Sequence, residues 1–205
     1  AENVGTTAAG KRAALEMLTV STWGRYRADL DFTAGPVGTL TTAGTFNAAL
    51  ATDMLAIVPT GAPNAAYAFV NVMTQPTVTT IGFGAAAGGQ QQVSITPPVT
   101  FTGSPAPARR AYFVSGAVSY VCDTVAGTVT RYNGYNIGAA QPILPAAFVG
   151  GQATLIATNV TACTFVIAPG SLNDNGGVVT VRYTITTPDG ESMTMQHEAR
   201  VENPA

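Results

Sequence analysis

Two runs near the end of the chain alternate with period two and flank a turn of known chemistry. In Val178 to Thr186, Val179, Val181, Tyr183 and Ile185 fall on one face, and Thr180, Arg182, Thr184 and Thr186 on the other. Ser192 to Val201 repeats the pattern, with Met193, Met195, His197, Ala199 and Val201 on one side. Its other side carries Thr194, Gln196, Glu198, Arg200 and, just past the run, Glu202. Between the runs lies Pro188-Asp189-Gly190, where proline presets φ and glycine accepts a positive φ. A β-hairpin satisfies this pattern and a helix does not, because side chains two apart share a face only in a strand.

Composition extends that reading to the rest of the 205 residues. Charged side chains make up 10% of the chain, against about 25% in an ordinary soluble domain. Thr occupies 30 positions, Gly 22 and Pro 13, whereas Lys occurs once, at Lys11. Such a chain reads as short strands punctuated by turns. The strand candidates are Leu15 to Val20, Asp53 to Val58, Thr77 to Phe83, Gln91 to Thr96, Ala111 to Asp123, Gly127 to Tyr132, Thr154 to Thr158 and Cys163 to Ile167. Ala13 to Met17 is also compatible with a short helix, Asp31 to Phe46 reads as a loop with one extended piece, and Ala65 to Met73 fits either state. Residues 1–14 read as a polar lead-in and 15–205 as a single β-rich domain.

The chemical inventory is thin. One histidine, His197, would have to serve any Ser-His-Asp triad, and no Gly-x-Ser-x-Gly elbow accompanies it. A His-based zinc site wants more than one His, and no phosphate-cradling loop follows a strand. The expectation is no enzyme, no catalytic residue, no metal and no cofactor. A net charge of −2 gives no footprint for nucleic acid, and no run of about 20 apolar residues offers a membrane span.

Cys122 and Cys163 lie 41 positions apart in strand-like sequence. Paired, they would close a loop worth about 4 kcal/mol in the chain-entropy model and imply an exported protein. Unpaired buried thiols are the other reading. Asn173-Asp174-Asn175-Gly176-Gly177 has calcium-ligating side chains but lacks the acid that completes a recognised loop, so a plain turn is the expectation. Trp23, Tyr26, Tyr132 and Tyr135 would make a sugar platform if exposed together, and ordinary core if not. His197, on the apolar side of its strand, reads as a packed core histidine. Asn159-Val-Thr161 matches a glycosylation sequon of a kind common by chance.

An ordered series of motifs carries a resemblance. It runs Arg109-Arg-Ala-Tyr-Phe-Val-Ser-Gly-Ala-Val-Ser-Tyr-Val-Cys-Asp123, Gly127-Thr-Val-Thr-Arg-Tyr-Asn-Gly-Tyr135 and Ala157-Thr-Asn-Val-Thr-Ala-Cys163-Thr-Phe165. Glu191-Ser-Met-Thr-Met-Gln-His197 and Arg200-Val-Glu-Asn-Pro204 close it. Leu15-Glu-Met-Leu18, Gly24-Arg-Tyr-Arg27, Leu30-Asp-Phe32, Asp53 to Val58 and Ala66-Tyr67 precede it in matching order. The series resembles the MshO-type minor pilins of mannose-sensitive haemagglutinin (MSHA) pili, which are similar in turn to the J-type minor pseudopilins of type II secretion. The family's basic leader and apolar N-terminal helix are not in this sequence, as in a piece cut near the end of that helix.

The resemblance implies an α+β, predominantly antiparallel β, pilin-like domain lacking most of its N-terminal helix. It implies a Cys122–Cys163 disulfide stapling the 123–162 excursion, as in the disulfide-bound regions of pilins. The implied role is a minor pilin that primes assembly of a type IV pilus and sits at its tip. Other minor pilins and the major pilin would be its partners. It would sit in the inner membrane, through the absent helix, and the periplasm before reaching the cell surface. Arg182, Thr184, Gln196, Glu198 and Arg200 are the candidate partner-contact face. A carbohydrate-binding adhesin domain and a viral or phage coat-type β-domain are the competing expectations.

Overall fold

In the computed structural model the described residues are 2–6 (as backbone), 11–27, 30, 32, 34–46, 52–57, 72–75, 77–101, 109–138, 140–168 and 177–201. They form twelve strands and one 3-10 turn, at Pro145–Ala147. The strands are β1 (Glu2–Thr6), β2 (Arg12–Tyr26), β3 (Val37–Ala43), β4 (Met54–Ala56), β5 (Thr80–Phe83) and β6 (Gln90–Val99). They continue with β7 (Arg110–Asp123), β8 (Thr128–Asn133), β9 (Gln152–Thr158), β10 (Val160–Ala168), β11 (Gly177–Thr186) and β12 (Ser192–Val201). The registered strand pairs are antiparallel. The expected α+β, pilin-like fold is therefore wrong: among the described residues there is no α-helix, and the architecture is all β.

The N-terminal segment shows why. Arg12-Ala-Ala-Leu-Glu-Met-Leu18 has good intrinsic helix formers, yet it begins a 15-residue strand, the longest among the described residues. Ala13 to Glu16 are all buried, so neighbours stand on both faces of β2 here. That burial outweighs a helix propensity of a few tenths of a kcal/mol per residue. β1 pairs with this stretch from Glu2↔Met17 to Thr6↔Ala13. Residues 2–6 and 12–14, expected as a loose lead-in, are ladder instead.

The chain divides into two compact units, one built on Leu18–Gly116 and the other on Glu2–Met17 with Ala117–Pro204. β2 and β7 contribute residues to both. In the first unit β6 lies between β5 and β3, β3 meets β2 at Arg25↔Ala43 and Tyr26↔Thr42, and β4 pairs with β7. Its core gathers Tyr26, Phe32, Leu40, Phe46, Leu55, Ile81, Val93, Ile95 and Phe113. Phe113 is fully buried, its ring 4.7 Å from that of Phe46 and 5.3 Å from that of Phe83. Gly24 is required beneath Phe46, since a Cβ there would stand 2.5 Å from the ring. β6 carries Pro97 and Pro98 inside a strand. They fall where the β3–β6 register jumps from Thr39↔Ser94 to Val37↔Val99, which spares the ladder the missing N–H groups.

In the second unit β7 and β8 form a hairpin, β9 pairs with β8, and β10, β11 and β12 make a separate three-stranded sheet. Its core is Ala13, Leu15, Cys122, Val129, Val160, Phe165 and Val179, with Val181, Tyr183 and Ile185 packed against them. The β11–β12 hairpin turns through Thr187 to Gly190, where the Gly190 N–H donates to the Thr187 carbonyl at 3.0 Å and Gly190 has φ +88°. Of the ambiguous segment from Ala65 to Met73, residues 65–71 lie outside the described residues. Met73 is buried and bridges to Ala56.

Candidate functional site

The cysteines are joined. Cys122 near the end of β7 and Cys163 in β10 form a disulfide with an S–S distance of 2.07 Å and a Cα–Cα distance of 6.5 Å. The bond ties the β7–β8–β9 strands to the β10–β11–β12 sheet across the core of the second unit. Both sulfurs belong to that core, and Cys122 has no exposed surface. Buried among Leu15, Val160 and Phe165, the bond is a cross-link rather than a reactive thiol pair.

Two polar constellations lie in the same unit, the first buried and the second part-buried. The Tyr135 hydroxyl donates to Glu16 Oε1 at 2.7 Å, and Ser119 Oγ lies 2.7 Å from the Tyr135 oxygen. Glu16 and Ser119 have no exposed surface. Burial raises the Glu16 carboxyl above its ordinary value, and the Tyr135 bond offsets only part of that. Burial also raises the Tyr135 phenol; Ser119 opposes the rise and Glu16 adds to it. The second constellation holds the β7–β8 turn. Asp123 Oδ1 accepts from the Val125 and Ala126 N–H groups, and Oδ2 accepts from Arg12 Nε at 2.6 Å. Burial pushes the Asp123 carboxyl up, but the Ala126 N–H, the Arg12 guanidinium and the Val125 N–H together bring it below its ordinary value. Sequence reading singled out neither group, because their members lie up to 119 positions apart.

The five residues expected as a partner-contact face do share a face. Arg182 stands opposite Gln196 in the β11–β12 register, Thr184 opposite Thr194, Thr180 opposite Glu198 and Val178 opposite Arg200. Arg182, Gln196, Glu198 and Arg200 are exposed and Thr184 is half-buried. Gln196 Nε2 donates to Glu198 Oε1 at 3.1 Å. A ladder of hydroxyls continues the face: Thr184 to Thr194 at 2.9 Å, Thr186 to Ser192 at 2.8 Å and Thr161 to Thr186 at 3.0 Å. Part of the chain's threonine surplus thus serves as cross-strand pairs.

The opposite side of β12 departs from expectation. Met193, Met195, His197 and Ala199 stand opposite Ile185, Tyr183, Val181 and Val179, on the core side of the sheet. All four are nevertheless exposed, Met193 by 59% and Met195 by 40%. His197 is therefore not a packed core histidine. The core extends under β10 and β11 and ends before β12.

The four candidate platform aromatics are dispersed. Trp23 is 52% exposed in the first unit, with the Arg110 guanidinium 5.0 Å from its ring centre. Tyr26 is buried in that unit's core. Tyr132 and Tyr135 are buried in the second unit against Phe148, Tyr132 stacked at 3.9 Å and Tyr135 edge-on at 4.9 Å. No shared sugar platform is formed by these four. Asn173 to Gly176 lie outside the described residues. Among the described residues no three His, Cys, Asp or Glu side chains are grouped to hold a metal ion. Nor is any helix there long and apolar enough to cross a membrane. Compared with known families, curated proteins and solved structures, the chain gives no significant match.

Proposed function

We propose that this chain is the β-rich body of a minor pilin, or minor pseudopilin, that primes assembly of an MSHA-type type IV pilus and sits at its tip. The observation that carries the reading is the ordered motif series from Arg109 to Pro204. From Ala117 onward that series belongs to one compact unit, and it contains both ends of the disulfide. The work of such a subunit is association. It would meet other minor pilins and the major pilin, first at the inner membrane and in the periplasm and then at the cell surface, with no chemistry on a substrate. The exposed face of Arg182, Gln196, Glu198 and Arg200 supports a contact role, since polar rims and charge complementarity set partner choice.

Two experiments test the reading. The reading frame upstream of Ala1 should encode a basic leader and about 20 apolar residues; an ordinary secretory signal running straight into Ala1 would sink it. The double variant Arg182→Glu, Arg200→Glu should lower co-purification with partner pilins. Undiminished co-purification would remove this face from the proposal.

A further inference from the structure

In the first unit, the side of the sheet turned away from the core carries cations and the chain's one tryptophan. In β2, Gly24 lies against the Phe46 ring and Tyr26 belongs to the core, so Trp23 and Arg25 stand on the opposite side. Arg27 follows on that side, one step past the strand, where its N–H still donates to the Thr41 carbonyl at 3.0 Å. β3 lies between β2 and β6, which lays two rows across the face. Arg25 stands opposite Ala43, and Ala43 opposite Gln90. Thr41, which holds the Arg27 backbone, stands opposite Gln92. The Arg27 side chain crosses this face, since its Nη1 donates to Gln90 Oε1 at 3.4 Å. From β7, the Arg110 guanidinium lies 5.0 Å from the Trp23 ring centre. Trp23, Arg25, Arg27, Gln90 and Gln92 are all exposed. Among the described residues no acid stands here: Asp53 is buried and accepts from Ser21, and Asp29 and Asp31 lie outside those residues.

We infer that this face docks an acidic polysaccharide, a chain of uronic-acid rings. Charge complementarity selects the class: a cationic face in a chain of net charge −2 fits a polyanion. The exposed Trp23 ring offers an apolar surface for the C–H side of a pyranose, with an N–H at its edge. The Arg25 fork matches a planar carboxylate with two parallel hydrogen bonds. Arg110 and Arg27 are already engaged within the chain, by Trp23 and by Gln90. Each guanidinium has five N–H donors, so such a contact does not exhaust it. Same-side positions on a strand stand about 7 Å apart. An extended sugar chain laid along β2 therefore passes Trp23, Arg25 and Arg27 in turn. An open sheet face suits such a chain better than a small ligand, which is held in a concave pocket. Nucleic acid is the poorer fit, because single strands bind in basic grooves on several aromatic rings. Trp23 is the one exposed aromatic among the described residues. The site belongs wholly to the first unit and does not depend on membership in a filament.

Because Trp23 is the only tryptophan, its fluorescence reads the contact directly. Titration of the unmodified chain with oligogalacturonate should change that emission saturably, with weaker binding as salt is raised. Neutral dextran over the same range should leave the emission unchanged. By calorimetry, Trp23→Ala and Arg25→Gln should each weaken oligogalacturonate binding by about tenfold or more. An emission and a heat signal that oligogalacturonate does not move would overturn the inference. So would equal binding of dextran, tighter binding of a single-stranded oligonucleotide, or parental affinity in Arg25→Gln. The titration of the unmodified chain decides the matter even where a variant fails to fold.

Discussion

Reduction of the Cys122–Cys163 bond is the perturbation with the clearest arithmetic. The bond closes 41 residues of chain. Treated as lost loop-closure entropy of the unfolded state, a loop of that length contributes about 4 kcal/mol at room temperature. Reduction, unlike replacement of the cysteines, leaves both sulfurs in the core, so no cavity is added to the cost. With a urea slope of about 2 kcal/mol per molar, reduction should lower the unfolding midpoint by about 2 M. The assay is a urea titration followed by circular dichroism, with and without a phosphine reductant. Trp23 fluorescence, read in parallel, reports the first unit, whereas both cysteines lie in the second. A midpoint that reduction leaves in place would refute the argument: either the bond is absent, or the unfolded chain is already as compact without it.

Two further outcomes are expected. The Glu16 carboxyl is raised in the folded state. The stability linked to its proton is therefore fully present below the ordinary carboxyl value and is lost as pH rises through the folded value. Glu16→Gln keeps an acceptor for Tyr135, so it should be more stable than the parent at neutral pH, with the difference closing in acid. Thermal melts of both chains between pH 4 and pH 8 check the sign, and a variant less stable at neutral pH contradicts it. Phe113→Ala removes a fully buried ring held between Phe46 and Phe83 and should cost about 3–5 kcal/mol; a loss under about 1 kcal/mol in urea unfolding would mean the ring is not in that core.

The second half of the chain was legible in its sequence because its strands alternate strictly and are built from Val, Tyr and Thr. Ala111 to Asp123, Gly127 to Tyr132 and the hairpin from Val178 to Val201 all lie in ladders close to the bounds their alternation implies. The first half was less legible for a physical reason. Arg12 to Leu18 has the composition of a helix and folds as a strand because it is buried on both faces, and burial on two faces erases alternation. Pro97 and Pro98 likewise argue against a strand from sequence, yet they sit in β6 where the neighbouring ladder skips. The α part of the expected fold came from the family resemblance; the residues themselves offered only a short helix-compatible patch at Ala13 to Met17.

The candidate site divides along the same line. Alternation tells which side chains share a face, and it placed Arg182, Thr184, Gln196, Glu198 and Arg200 together. It cannot tell whether anything stands opposite that face. Met193, Met195 and His197 were read as core because apolar side chains two apart mark an inward side, and inward is where they are by register. Yet the layer beneath the sheet is filled from β10 and β11 by Phe165, Val179 and Cys163, and it ends there. An edge strand inherits the pattern of a core strand without its cover. Met193 and Met195 keep the period-two apolar pattern of an inward side, and no described residue covers them there, so alternation alone could not tell this strand from a buried one.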